Sequence, residues 1–430
     1  MLGRMARDLP ARFPVGAAVT VADLEGDPHP HLARLRAAEP VSWLPALGGW
    51  LVTSHALAVR VMRDAAAFTV DDPRFSTARV VGPSMLSLDG PAHARHRDAF
   101  ARPFRPARTR ERFAAFVEAE AGRLAGALAP AGRAELRGDL AGPLAVAVVA
   151  EALDLPEVDA ATVRSWYATF VDAVSALTGA PDDGAADGAA AALERSGAAY
   201  AALREAVAEA MARPGSLPAE AARGGAGRAG LDAAEVVANA AVLMFGGIDT
   251  TEGLISNAAL HLLSDPALTA AVRDDRGLLP AVIEESLRME PPAAVVDRYA
   301  VRDADLGGAP VRAGDLVRVS ITGANRDPAV FAHPDRFDPY RADAAEHLAF
   351  AHGPHFCFGA TLARMEARAA LGAVLDRFPG VRLAPGRPAR PRGPVFRKPD
   401  RLDVRWDASA QVTTPPRGPG GPPGMAPSGR

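Results

Sequence analysis

Cys357 is the only cysteine in the 430 residues, and it lies in the run Phe350-Ala351-His352-Gly353-Pro354-His355-Phe356-Cys357-Phe358-Gly359-Ala360. A helical pattern follows at once, Thr361-Leu362-Ala363-Arg364-Met365-Glu366-Ala367, which puts Cys357 at, or one residue before, a helix N-terminus. Unpaired backbone N–H groups and the positive dipole end favour a thiolate there over a thiol. Gly353 and Gly359 let the backbone turn and approach a flat ligand closely. An electron-rich sulfur flanked by aromatic residues suits a soft metal, and thiolate-bound haem iron fits that description. Two other readings stand beside it. Most lone cysteines are buried free thiols. His352, His355 and Cys357 also suggest zinc, although His355 and Cys357 are spaced unlike common zinc ligands and no fourth ligand stands out.

Three further groups carry chemistry. Phe245-Gly246-Gly247-Ile248-Asp249-Thr250-Thr251 sits inside a long helical pattern, where two adjacent glycines cost about 2 kcal/mol relative to alanines. Gly247 and its neighbour would let the helix lie against a flat cofactor. The Thr250 hydroxyl can bond back to the Gly246 carbonyl four residues earlier. An acid beside an alcohol, Asp249 with Thr250, can relay protons. Glu285 and Arg288, three apart on one helix face before Pro291-Pro292, can pair; alone, such a pair reads as a weak surface ion pair. His93 and Arg97, four apart, point the same way from a helix and suit a carboxylate, or else form a solvated basic face.

The elements that must hold these residues are mostly helical. Apolar residues recur three and four apart over Thr109–Ala129, Asp187–Ala212, Asp232–Leu263 and Ala360–Arg377. Val41–Val52 reads as a hairpin, and Asp297–Ile321 as several short strands. Val70–Leu88, Gly179–Gly188 and Pro214–Gly230 read as loops, and Ala408–Arg430 as a disordered Pro/Gly-rich tail. The expected organisation is an extension over residues 1–22, one mainly α domain with a smaller β region over 23–407, and the tail.

Hydrophobic residues at 49% and charged residues at 23% are ordinary for a globular core. A net charge of -3 argues against nucleic-acid binding. One cysteine forms no internal disulfide, and residues 1–14 lack a signal-peptide apolar core. The longest strongly apolar stretch is taken as Leu140–Ala150, short of the roughly 20 residues a membrane helix needs. A soluble cytoplasmic protein without membrane partners is expected. Arginine dominates the cations, and Lys398 is the sole lysine.

The cysteine segment resembles the haem-binding signature of the cytochromes P450, with Phe350, Gly353, His355, Cys357 and Gly359 at its fixed positions. In order along the chain, Asp89-Gly90-Pro91-Ala92-His93, the Asp249–Thr250 pair, Glu285-Ser286-Leu287-Arg288 and Phe337-Asp338-Pro339 resemble further parts of that family, from about Asp23 to Trp406. The resemblance implies a triangular helix-rich prism, with haem b between the long central helix and the helix after the cysteine loop. It implies Cys357 as iron ligand, His93, Arg97, Arg298 and His355 around the propionates, Gly247, Phe350 and Gly359 against the cofactor, and Asp249 and Thr250 as proton relay. Glu285 and Arg288 would form a structural pair shared with Arg341.

The implied activity is monooxygenation of a hydrophobic, possibly carrier-bound small molecule as a tailoring step in secondary metabolism. Electrons would come from a ferredoxin-type donor, since no flavin or nicotinamide fingerprint follows a strand. Arg95, Arg102, Arg105, Arg108, Arg110 and Arg112 read equally as a basic docking face for it or as ordinary solvated arginines. The resemblance lines the pocket with Val70–Leu88, Trp166–Phe170, Leu243–Ile248, Ala293–Val296 and Val395–Phe396. Rival readings are an atypical reaction such as aromatic coupling or nitration, a non-catalytic haem-binding module, and a cofactor-free helical binding protein.

Overall fold

A computed structural model describes residues 8–155, 158–178, 185–224, 229–386 and 388–407. The helices that position the site are α1 (Gly90–Ala101), α2 (Pro106–Leu128), α3 (Gly142–Ala152), α4 (Ala160–Thr178), α5 (Ala185–Met211), α6 (Ala233–Gly247), α7 (Asp249–Ser264), α8 (Leu279–Met289) and α9 (Ala360–Arg377). The strands around them are β1 (Val41–Leu44), β2 (Gly49–Val52), β3 (Phe68–Thr69), β4 (Val295–Ala300), β5 (Leu316–Ser320), β6 (Pro391–Arg392) and β7 (Lys398–Pro399). The main sheet runs β1-β2-β5-β4-β3. Its β2–β5 pair is parallel, with Trp50 opposite Val317, and the other pairs are antiparallel. The mainly α fold with a smaller β region is as the residue pattern implied.

The largest core cluster joins α2, α3, α6, α7, α8 and α9, and α9 lies against both α2 and α7. A capping box starts α6: Asp232 accepts from the Glu235 amide at 2.8 Å, and Glu235 accepts from the Asp232 amide at 3.0 Å. The expected single helix over 232–263 is two, parted by Ile248 (φ −89°, ψ −66°) directly after the glycine pair. By length and apolar composition residues 233–264 would suffice to cross a membrane, so the longest apolar stretch is here and not at 140–150. These helices instead pack inside the core, where all but three residues of α7 are buried.

Two expected loops contain short helices. Ser76–Val81 lies within 70–88, and its six residues are too few for a periodic pattern to show. Leu217–Arg223 lies within 214–230 and starts as its residues direct, with Pro218 in the first turn and Ser216 accepting from the Ala219 amide at 3.1 Å. The expected loop at 179–188 falls largely, and the expected tail at 408–430 wholly, outside the described residues. Within the segment 1–22, Phe13 packs edge-on against Trp50, and Glu39 accepts from the Val15 and Gly16 amides.

Candidate active site

Cys357 lies three residues before the first residue of α9, whose N-cap is Gly359, so it sits further from the helix than its spacing suggested. Its amide donates to the Phe350 carbonyl at 2.9 Å, closing the loop on itself. The Gly359 and Ala360 amides, with Arg97 and Arg364, favour the thiolate, but burial outweighs them and pushes the thiol up. A metal bound at the sulfur would remove that proton. A Cβ at Gly359 would lie 3.7 Å from the sulfur. Gly353 makes the turn that was expected of it and also a close packing contact. With φ +75°, it packs on the helix at 55–63, where a Cβ would come within 2.7 Å of the Met62 carbonyl oxygen. The Phe350 ring lies under the Arg364 guanidinium, 4.4 Å from its centroid.

His93 and Arg97 both lie on α1, as their spacing required. The His93 ring stands 4.2 Å from that of His355, and Arg97 donates to the Phe356 carbonyl. Asp89, which the sequence reading used only to mark the helix start, accepts from His355 Nε2 at 2.8 Å, Thr69 Oγ1 at 2.6 Å and the Val70 amide at 2.9 Å. These partners hold its carboxyl well below the usual carboxylate range despite burial. Arg298 is buried and donates through one nitrogen to the Asp297 carbonyl at 2.7 Å. Burial, then the neighbouring His355 and Arg97, pushes the His93 imidazole down to about 4. His93 Nε2 and Arg298 Nη2 are both buried and lack hydrogen-bond partners.

At the α6–α7 junction, Thr250 Oγ1 donates to the Gly246 carbonyl at 2.5 Å, the bond its spacing predicted. The two glycines have different surroundings. A Cβ at Gly247 would lie 2.4 Å from Val149 Cγ2 on α3, so this glycine permits helix packing. A Cβ at Gly246 would meet nothing within 4 Å, and Gly246 is the glycine that borders open space. Successive residues on a helix point about 100° apart, so residue type alone does not tell the two apart. Asp249 is buried and ion-paired with Lys398, whose Nζ also lies 2.9 Å from Glu252 Oε1.

The Glu285–Arg288 pair is no surface bridge: both side chains are fully buried. Arg288 donates to both Glu285 oxygens at 2.7 and 2.8 Å and to the carbonyls of Asn325, Pro334 and Arg336. Arg341 Nε lies 2.9 Å from Glu285, and the Asp338 amide donates to Glu285 at 2.8 Å. Among the described residues no group of three or more His, Cys, Asp or Glu is placed to hold a metal ion, so the described residues do not support the zinc reading.

A sequence profile described as Cytochrome P450 matches residues 216–392. The cytochrome P450 monooxygenase PikC of Streptomyces venezuelae is 36% identical over 407 residues, 89% of this chain and 92% of that protein. The chain belongs to the cytochrome P450 family. Another relative, the erythromycin C-12 hydroxylase of Saccharopolyspora erythraea, is 34% identical across 81% of this chain and 86% of its own length. The crystal structure of P450BioI in complex with an acyl carrier protein ligated to hexadec-9Z-enoic acid overlays with a TM-score of 0.79 at 28% identity, covering 89% of this chain and 99% of that one.

As a cytochrome P450 monooxygenase the protein takes haem b, and the residues present fit it. The orphaned donors on His93 and Arg298 offer hydrogen bonds to propionate carboxylates, and the thiol is held where two backbone amides face the sulfur. One His355 ring nitrogen is committed to Asp89, leaving the other for a propionate. Lys398, Asp89 and Glu252 were missed as site residues. Lys398 left a signal as the single lysine of an arginine-rich chain, and Asp89 as the head of the segment that leads into His93, while Glu252 left none.

Proposed function

We propose that this cytochrome P450 inserts one oxygen atom from O₂ into a hydrophobic small molecule, by hydroxylation or epoxidation, as a tailoring step in secondary metabolism. The observation that carries the reading is the Asp249–Thr250 pair at the interruption between α6 and α7, beside the exposed face of Gly246. Bound haem b supplies oxygen activation and transfer. Within the chain, Cys357 is the iron ligand, and His93, Arg97, Arg298 and His355 hold the propionates. Phe350 and Gly359 flank the cofactor, and the Glu285–Arg288 pair fixes the chain segments that lead to the cysteine loop. Thr250, its own proton donated to Gly246, presents lone pairs that accept and orient a proton, and the Asp249 carboxylate is the group through which protons are passed on to it.

The pocket sequences implied earlier support an apolar ligand. The backbone joins Ala293 to Phe396 and the Ala294 amide to the Val395 carbonyl at 2.8 Å, which brings two of those segments together. The names of PikC and the erythromycin hydroxylase support a tailoring role, and the acyl carrier protein in the P450BioI complex supports a carrier-bound substrate as one form. Electrons come from a separate ferredoxin-type donor in the cytoplasm. Arg102, Arg105, Arg108 and Arg110 are exposed, and Phe356 of the cysteine loop is 46% exposed. Four of the six arginines first assigned to docking are partly neutralised, Arg95 by Glu235, Arg102 by Glu220, Arg108 by Glu111 and Arg112 by Asp154. That leaves Arg105 and Arg110 as the stronger docking charges.

The test is Thr250→Ala. Haem binding and the thiolate spectrum persist, while product formed per reductant consumed falls and peroxide rises. A substrate identified by displacing iron-bound water, read as a spin-state change, provides the assay. Unchanged product yield in the variant would overturn the proton role.

A further inference from the structure

The chain uses arginine for every cation but one. That one lysine is not on the surface. Lys398 opens β7, and its side chain is 14% exposed, tucked between two carboxylates in the first turn of α7. Its ammonium pairs with Asp249 Oδ1 and lies 2.9 Å from Glu252 Oε1. Arg137 completes the cluster: its Nε donates to Glu252 Oε1 at 2.5 Å and its Nη1 to the Asp400 carbonyl at 2.7 Å. The Arg137 side chain is 32% exposed, so the cluster runs from solvent to Asp249. From above, the buried Tyr167 hydroxyl faces Asp249 without closing a well-formed hydrogen bond, and Asp249 adds to burial in pushing that phenol far up. Gly142, at the start of α3, leaves room for both Arg164 and Glu252, since a Cβ there would stand 2.5 Å from Arg164 Nη2 and 2.8 Å from Glu252 Oε2.

Physical chemistry explains why a lysine occupies this position. The space is bounded by two carboxylates three residues apart on one helix face, within reach of a single compact charge. An ammonium carries three rotatable donors on one atom and bridges both oxygens at once, while a planar guanidinium fork is built for one bidentate partner. Lys398 is the cation paired with Asp249, so removing the lysine leaves that buried carboxylate without its paired charge.

We infer that Lys398 is a positioning residue for oxygen activation. It anchors Asp249 to the β6–β7 hairpin and completes a hydrogen-bonded track, Arg137–Glu252–Lys398–Asp249, that ends beside Thr250. This rests on the reading of Asp249 and Thr250 as the proton relay. Lys398 touches neither substrate nor haem in this account; it acts by fixing where the Asp249 carboxylate sits. The hairpin that carries it also carries Phe396, bridged to Ala293 at the pocket wall.

The test compares the holoenzyme with Lys398→Met, Lys398→Arg, Asp249→Asn and Thr250→Ala. The probe is 7-ethoxycoumarin, with a surrogate ferredoxin and reductase as electron source, and peroxide formed per reductant consumed is measured in H₂O and D₂O. Lys398→Met raises the peroxide fraction at least threefold and enlarges the solvent isotope effect, while Lys398→Arg, which keeps the charge but not the bridging geometry, recovers part of the coupling and stays below the wild type. A second readout needs no turnover. Because the chain has one lysine, reductive methylation marks a single ε-amine, and this amine reacts at least tenfold more slowly in the wild type than in Asp249→Asn. Should Asp249→Asn and Thr250→Ala uncouple while Lys398→Met behaves as wild type, the positioning role is wrong and the relay stands. If all three behave as wild type, the relay itself is wrong and the inference goes with it. An ε-amine that is labelled as fast as an exposed one overturns the anchoring geometry whatever the turnover shows.

Discussion

Replacing each of the adjacent glycines Gly246 and Gly247 by alanine separates the two faces of the central helix. At Gly247 the new Cβ would sit 2.4 Å from Val149 Cγ2, more than an ångström inside the contact distance of about 3.5–4.0 Å. Overpacking of this kind costs about 1–3 kcal/mol, against which the gain in helix propensity returns about 1 kcal/mol. Gly247→Ala is therefore neutral to about 2 kcal/mol destabilising. Gly246→Ala meets no atom within 4 Å and collects the propensity gain alone, about 1 kcal/mol of added stability. Urea unfolding of the haem-free proteins reads both. Adding Val149→Ala removes the offending methyl groups, and in that background Gly247→Ala becomes stabilising. In the haem-loaded protein the order reverses: Gly246→Ala places a methyl group on the cleft side and weakens the spin-state response to bound ligands, while Gly247→Ala leaves it intact. If Gly247→Ala alone impairs ligand binding, or if the Val149 background makes no difference, the assignment of faces is refuted.

Two further outcomes follow from buried charge. Arg288→Leu takes both Arg288 bonds from Glu285, leaving it Arg341 and the Asp338 amide, and strands the Asn325 and Pro334 carbonyls, at a cost of about 3–5 kcal/mol; denaturant unfolding shows this loss and the variant retains little haem, whereas a change below about 1 kcal/mol contradicts the network. Burial pushes the His261 ring, bonded to Ser286 at 2.9 Å, down to about 4. Unfolded histidine titrates near 6.5, so between these values the unfolded chain binds more protons and stability falls as the pH falls. His261→Gln then reduces the stability lost between pH 7 and pH 5 by about 2 kcal/mol, measured by urea titration at each pH, and an unchanged loss rules out a neutral buried imidazole.

What the sequence made legible was local. Thr250 bonds to Gly246 and Arg288 to Glu285 because helical spacing alone brings those atoms together. The α9 boundaries, Ala360–Arg377, coincide with the apolar period. What stayed hidden depends on contacts between distant segments. Asp89 meets His355 across 266 positions and Lys398 meets Asp249 across 149, separations on which periodicity is silent. The roles of Gly246 and Gly247 were likewise decided by a neighbour, Val149, on another helix. The thiol of Cys357 shows the same limit: its place near a helix start favours the anion, yet burial by the surrounding fold outweighs that local field.

The most direct measurement is the absorption spectrum of the reduced holoprotein with carbon monoxide, recorded for the wild type and for Cys357→Ser. Sulfur–iron coordination predicts the red-shifted thiolate band in the wild type and its loss in the variant. A wild type that holds a full complement of haem without that band, or a Cys357→Ser protein that keeps it, contradicts the account.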